Sequence, residues 1–280
     1  MDILENGLYI ISTPIGNLGD ISLRAQKTLS MVDFIICENP IHSLKLLNKL
    51  GIKKKLFSLH DYNENILIKR IEKYQVNSSI ALISDAGSPL ISDPGYNLVN
   101  DYIKKNLNIT TVPGSSSIIS ALQLSGLPIN NFEFFGFVPK NKANVTSLVK
   151  EIENLRSTSV FFVSGNRLMN FLKCILEKKI NRKIAVCKEI TKKNERVFRG
   201  SIIKIIDEIS RDKNNLKGEF VVIIKGNEKK TIKIVEIAIE KQMLKLLKKF
   251  SLTEVVEIVH NLTRISKKEI YKTALLLKND

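Results

Sequence analysis

The chain has no tryptophan, three cysteines and three histidines. Cys37, Cys174 and Cys187 stand far apart with no CxxC pair, which argues against a disulfide framework or a zinc site. His42, His60 and His260 are equally scattered, which argues against a metal centre. No apolar run approaches the ~18 residues that read as a membrane-spanning helix. The opening MDILENGLYI is neither basic nor followed by the apolar core of a signal peptide. Only 13 Gly and 7 Pro occur in 280 residues, so collagen-like, low-complexity and disordered classes are excluded. Missing too are GxGxxG, GxxxxGK[ST] and GxSxG, the marks of dinucleotide folds, P-loops and nucleophile elbows. The expectation is a soluble cytoplasmic protein with reduced thiols and no membrane contact.

What is present is charge, unevenly placed. The net charge is +16, yet Met1 to Pro139 carries 12 basic and 12 acidic residues and so sums to zero. Lys140 to Asp280 carries 32 basic and 16 acidic residues, so the whole excess lies there. Such asymmetry points to a polyanionic partner such as RNA, or to an acidic membrane surface.

Hydrophobic periodicity divides the chain. Over residues 1–125, short apolar runs at 8–13, 34–38, 56–61, 80–87 and 108–114 read as strands. Helical patterns follow them, at 43–50, 63–74, 94–106 and 116–126 among others. This alternation predicts an α/β domain with a largely parallel sheet. Residues 126–142 read as a linker because NNFEFFGFVPKNK has no helical period and breaks at Pro139. A second α/β domain spans 143–229, with strands at 158–164, 183–190, 196–202 and 219–226 and helices at 145–155, 167–178 and 203–210. Residues 230–280 form a basic tail of three short helices, two N-capped by Ser251 and Ser266. There is no internal repeat.

Ligands of open α/β sheets bind beyond the carboxyl ends of strands, and four turns there have distinctive chemistry. They are TPIGNLGD (13–20), CENPIH (37–42), SDAGSP (84–89) and VPGSSS (112–117). Asp85 and the amides around Gly87 and Ser88 suit the ribose and amino-acid parts of a nucleotide-like ligand, and Ser116 and Ser117 open a helix whose free N–H groups accept a carboxylate. Each turn alone reads better as an ordinary turn with Ser as helix cap. Four at one sheet edge point to a site. His60 and Asp61, in LHDYNE, read either as an acid/base pair or as a turn that caps the next helix.

The strings LYIISTPIGNLGDISLRA, SDAGSPLISDPG and VPGSSSIISAL resemble the tetrapyrrole methylase family of S-adenosylmethionine-dependent methyltransferases. The likeness runs from about Leu8 to Leu277; within the family, LFSLHDYNE, GLPINNFEFFGFVPK and the basic tail resemble the branch that acts on ribosomal RNA. The resemblance implies two α/β domains of the tetrapyrrole methylase type with a small C-terminal helical extension, a homodimer, and S-adenosylmethionine in the cleft. It implies methylation of the ribose 2′-hydroxyl of a cytidine, position 1402 in the decoding region of 16S rRNA, with that RNA or the small ribosomal subunit as partner. By motif, Pro14, Ile15, Gly16, Asp85, Gly87, Ser88, Ser116, Ser117 and Ile118 meet the cofactor. Phe162, Val163, CKEIT (187–191) and KGEF (217–220) close the cleft. Glu38, His60 and Asp61 are the candidates for removing the hydroxyl proton, with His42 beside Glu38. Arg167, Lys192, Lys193, Lys267 and Lys268 are the candidates for RNA phosphates.

Two motifs depart from that branch. Where it typically reads EDTRH, this chain has Glu38-Asn39-Pro40-Ile41-His42; where it typically reads FYESPHR, this chain has Phe161-Phe162-Val163-Ser164-Gly165-Asn166-Arg167. Methylation of a tetrapyrrole, the older role of the fold, and a degenerate RNA-binding protein are the competing readings. The cationic half opposes the first, and retention of three cofactor turns opposes the second.

Overall fold

A computed structural model describes residues 4–227, 240–263 and 266–279. The first half builds a five-stranded, wholly parallel sheet in the order β3-β2-β4-β1-β5. Its strands are β1 (Gly7–Ile11), β2 (Phe34–Cys37), β3 (Lys55–Ser58), β4 (Ser79–Ile83) and β5 (Ile109–Val112). Central strands β2 and β4 are buried throughout, as expected of a sheet covered on both faces. Helices α1 (Leu23–Met31) and α2 (Pro40–Lys49) cover one face through Ala25, Leu29 and Leu47. Helices α3 (Glu64–Gln75) and α4 (Tyr96–Lys104) cover the other through Leu67, Ile71, Leu98 and Tyr102.

Helix α2 begins at Pro40, three residues before the expected start at Ser43. The Asn39 side chain accepts the N–H groups of Ile41 and His42, and Pro40 occupies a first-turn position where its missing N–H costs nothing. The altered motif at 38–42 is therefore a well-formed helix cap.

Helix α5 (Ser117–Ser125) follows β5 but packs its apolar face on the second sheet. Ile118, Ala121 and Leu122 share a core with Val160, Ala185, Cys187, Val221 and Ile223. That sheet is mixed, in the order β6-β7-β10-β8-β9. It comprises β6 (Phe132–Phe137), β7 (Thr158–Ser164), β8 (Ile184–Lys188), β9 (Arg196–Gly200) and β10 (Glu219–Ile224). Helix α6 (Lys142–Ile152) precedes β7, and α7 (Gly165–Glu177) and α8 (Ile202–Ser210) follow β7 and β9. Phe171 of α7 packs on Phe161 with ring centroids 5.2 Å apart.

One expectation is corrected here. Residues 132–137, read as linker, are a strand of this second sheet. Phe134 packs on Phe162 and Phe135 stacks on Phe161, so alternate aromatics face opposite sides. Four phenylalanines in six residues hid that alternation, because both faces are apolar.

The described residues fall into two compact units. One runs to Lys150 and resumes over Ser157–Lys225, and so contains both sheets; the other takes Glu151–Arg156 and the chain from Gly226 onward. The second unit holds a helix over 240–247 (α9), α10 (Leu252–Thr263) and α11 (Lys267–Asn279), packed around Met243, Val255, Val259, Ile270 and Ala274. Ser251 and Glu254 form a capping box, and the Ser266 hydroxyl accepts the Glu269 N–H and donates to the Glu269 carboxylate. Residues 230–239, read as the start of the tail, lie outside the described residues. Among those described, no helix is long and apolar enough to cross a membrane.

Candidate functional site

In a parallel sheet all carboxyl ends lie on one edge, so the turns after β1, β2, β4 and β5 converge. β1 and β4 are neighbours, and the chain leaves them in opposite directions, to β2 and to β5. Backbone hydrogen bonds join the two turns at this switch point. The Thr13 N–H donates to the Gly87 carbonyl (2.8 Å) and the Gly87 N–H to the Thr13 carbonyl (3.0 Å). The hydroxyls of Ser12 and Ser88 meet at 3.0 Å, and that of Ser88 also reaches the Ser115 carbonyl at 3.3 Å. Three of the four turns are thus stitched into one rigid floor. The Gly87 amide, expected to face a ligand, is occupied by this stitching.

Above that floor lies a cavity of about 480 Å³, within the size range of small-ligand sites. Its apolar wall comes from Ile15 and Ile118 on the first side and Phe162, Val163 and Val221 on the second. Its polar lining includes Glu38, Asp85, Asp93, Ser116 and Ser117. Ser116 caps α5 and Ser117 is its first residue, so the first-turn amides have no intrahelical acceptor. Gly87 has φ +83°, and a Cβ there would stand 3.3 Å from Ile15 Cγ2. Non-glycine residues in the left-handed region cluster on the surrounding segments: Leu90 and Ser92 after β4, Glu189 and Thr191 after β8. Such strain persists only where packing imposes it.

Three of the carboxylates that line the cavity, Glu38, Asp85 and Asp93, differ in their support. Asp85 accepts the Asn39 N–H at 3.2 Å. Burial, then the charge of Asp85, raise the pKa of Glu38 against a hydrogen bond from the Asp85 backbone. Burial, then the neighbouring Glu38 and Asp85 charges, push Asp93 up to about 6 although Ser84 hydrogen-bonds it. Asp93 is the cavity carboxylate that sequence reasoning missed. Its signal was a second aspartate in SDAGSPLISDPG, passed over because the first stood in the better-marked turn.

Of the expected cofactor residues, Ile15, Asp85, Gly87, Ser88, Ser116, Ser117, Ile118, Phe162 and Val163 line the cavity. Pro14 and Gly16 do not. Gly16 instead backs onto the second sheet's 190–192 segment, where a Cβ would meet the Thr191 hydroxyl at 2.9 Å. Cys187, Glu189 and Ile190 of CKEIT and Glu219 and Phe220 of KGEF do line it. Glu38 lines the cavity, whereas His60 and Asp61 are exposed outside it, Asp61 near enough to raise the pKa of Glu38 slightly.

The basic residues divide. Lys192 is at the cavity, ion-paired with Glu189 (3.0 Å) and Glu219 (2.8 Å), and so is a clasp between the 189–192 segment and β10. Arg167 donates to the Val138 carbonyl at 3.1 Å and steadies the chain after β6. The charge of Lys192 is thus matched within the protein, whereas Arg167 bonds a neutral carbonyl and keeps its charge. Lys193, Lys267 and Lys268 are exposed, Lys267 lying 3.7 Å from Glu257. All three cysteines are buried thiols, and burial pushes Cys187 up to about 12, which leaves it unreactive.

The cavity offers apolar surface for a flat ring, carboxylates for hydroxyls and a helix N-terminus for a carboxylate. A nucleoside carrying an amino-acid arm suits that set.

Comparison with known proteins gives an independent view. The family described as Tetrapyrrole (Corrin/Porphyrin) Methylases matches residues 7–206. A Rickettsia prowazekii protein named Ribosomal RNA small subunit methyltransferase I is 44% identical over 278 residues, spanning 96% of each chain. A Thermotoga maritima protein of the same name is 40% identical over 79% of this chain and 99% of its own. Among solved structures, a diphthine synthase aligns with TM-score 0.61 at 13% identity, over 78% of this chain and 89% of that one. Uroporphyrin-III-C-methyltransferase from Thermus thermophilus aligns with TM-score 0.54 at 16% identity, over 79% and 94%. At such identities the structural likeness is one of fold.

Proposed function

The chain belongs to the tetrapyrrole (corrin/porphyrin) methylase family, and from that premise we propose that it is an S-adenosylmethionine-dependent methyltransferase of small-subunit ribosomal RNA. The finer reading is transfer to the ribose 2′-hydroxyl of cytidine 1402 in 16S rRNA. The observation that carries the coarser reading is near-full-length similarity to a protein named Ribosomal RNA small subunit methyltransferase I, joined to a cavity whose linings fit the cofactor. In this reading the amides of Ser117 and Ile118 hold the amino-acid carboxylate, Asp85 a ribose hydroxyl, and Ile15, Ile118 and Val221 the adenine.

When bound, S-adenosylmethionine supplies an electrophilic methyl group, so the protein's main task is alignment. A sugar hydroxyl is a weak acid, and a carboxylate with a raised pKa removes its proton more effectively than an ordinary one. Asp93 takes that role, with Glu38 holding its charge in check. His60 and Asp61, exposed outside the cavity, are set aside as the base. The exposed Lys193, Lys267 and Lys268 meet RNA phosphates. The reading includes a homodimer, since Ile41, Tyr62 and Ile66 leave large apolar side chains in solvent on one unit; sedimentation equilibrium checks it.

The test supplies methyl-labelled S-adenosylmethionine and small subunits lacking the modification, then maps label to a bond resistant to alkali. Label at the cytidine is expected. A folded protein that binds the cofactor and labels nothing overturns the substrate; one that binds no cofactor favours RNA binding without catalysis. Gly87→Val places a β-branched residue at φ +83° and against Ile15, a strain of about 1–3 kcal/mol. Calorimetry is expected to show cofactor affinity reduced at least about tenfold.

A further inference from the structure

β6 and β7 pair in parallel with a change of register. Phe132, Glu133 and Phe134 align with Thr158, Ser159 and Val160, but Phe137 aligns with Phe162, so β6 holds one extra residue. Gly136, at φ +70°, takes up the irregularity. In an unbroken strand Phe137 would share the face of Phe135, which stacks on Phe161 away from the cavity. The extra residue turns Phe137 to the other face, where its ring meets Phe162 at 5.2 Å and lines the cavity. Bulges of this kind re-aim a side chain beside a site.

The re-aimed ring is 61% exposed. Ile91, from the loop after β4, also lines the cavity and is 45% exposed. The cavity that contains Glu38 and Asp93 therefore has large apolar groups standing in water at its mouth. The Phe137 ring packs on Phe162 yet leaves most of its surface in water, and a flat apolar partner would cover it.

We infer that Phe137 is the platform on which the base of the acceptor nucleotide stacks, so that the RNA is engaged as an unpaired, turned-out nucleotide. The inference rests on the RNA-methylation reading above. Stacking on an aromatic face pays the unpairing of a base and tolerates any base, so Phe137 selects an extruded nucleotide rather than cytosine as such. The ring also brings the attached ribose to the carboxylates of the same cavity.

The test measures kcat and KM for unmodified small subunits, and calorimetric affinity for S-adenosylmethionine, in wild type, Phe137→Ala and Phe137→Tyr. Phe137→Ala is expected to raise KM for the RNA about tenfold to a hundredfold, with cofactor affinity within about twofold of wild type. Phe137→Tyr is expected to restore KM, because the ring face returns. Unchanged KM in Phe137→Ala, or a loss of cofactor affinity equal to the rise in KM, overturns the inference while leaving the methylation reading intact. Wild-type protein that labels no RNA overturns both.

Discussion

Asp93→Asn is expected to lower kcat at least about 100-fold at pH 8 while cofactor affinity stays within about threefold. Removing a general base acts on the proton transfer and leaves the cavity's shape and its apolar contacts in place. The pH dependence follows from the same group. Only the ionised carboxylate accepts a proton, so wild-type kcat falls as pH drops through about 6, and Asp93→Asn lacks that limb. Glu38→Gln removes a neighbouring negative charge and is expected to move the limb to lower pH. Stability has the opposite sign. A folded-state pKa above the ordinary value means that the folded protein binds the extra proton between about pH 4 and 6. The stabilisation is complete below that window and lost as pH rises through it. At pH 8 the variant is therefore expected to be more stable than wild type, by about 1–3 kcal/mol after allowance for solvent screening. A slower enzyme that melts higher is the signature of a charge retained for function. Wild-type turnover in Asp93→Asn would remove this residue from the chemistry.

Gly165→Ala is expected to cost about 3 kcal/mol or more, lowering Tm by roughly 6–12 °C in a thermal melt. A Cβ at Gly165 would lie 1.9 Å from the Leu216 carbonyl oxygen and 3.3 Å from that of Gly218, both backbone atoms with no rotamer to escape into. The loop 216–218 lies directly on the first residue of α7, and the Gly165 N–H donates to the Gly218 carbonyl at 3.2 Å. Gly218 is itself pinned, at φ +101° with the Glu189 side chain 2.6 Å from where its Cβ would stand. Displacing the loop would thus disturb Glu189 and Glu219, which line the cavity and hold Lys192. Gly165→Pro, which restores the residue typical of the resembling branch, is expected to do worse because it also removes the hydrogen bond. A Tm within about 2 °C of wild type for Gly165→Ala would show that the loop yields.

The two motifs that depart from the resembling branch, 38–42 and 161–167, are each accommodated by the structure around them. At 38–42 Asn39 and Ile41 stand where that branch has its acid and arginine, while Asn39 and Pro40 start α2 and Glu38 stays on the cavity. At 161–167 a glycine admits the close approach of 216–218. Both departures are visible in the sequence as changed motif residues. Their compensation was visible only once the neighbouring backbone was in place.

Several features are determined by residues near one another in the chain. Apolar runs alternating with helical stripes determine the α/β class and the parallel first sheet. Pro, Gly and Ser clusters determine where four turns fall, and Ser116, Ser251 and Ser266 each cap the helix that follows. Local periodicity and turn chemistry depend on dihedral preferences and on side chains a few residues apart, so they survive in a string of letters. Tertiary structure decided the rest. It turned 132–137 into a strand, sent α5 to the second sheet, gave the Gly87 amide to Thr13, and closed Lys192 on Glu189 and Glu219. It also distinguished Asp93 from Asp85 by the charges and burial around each. Those outcomes depend on partners brought from distant parts of the chain, since desolvation, ion pairing and steric contact are set by what packing places a few ångströms away.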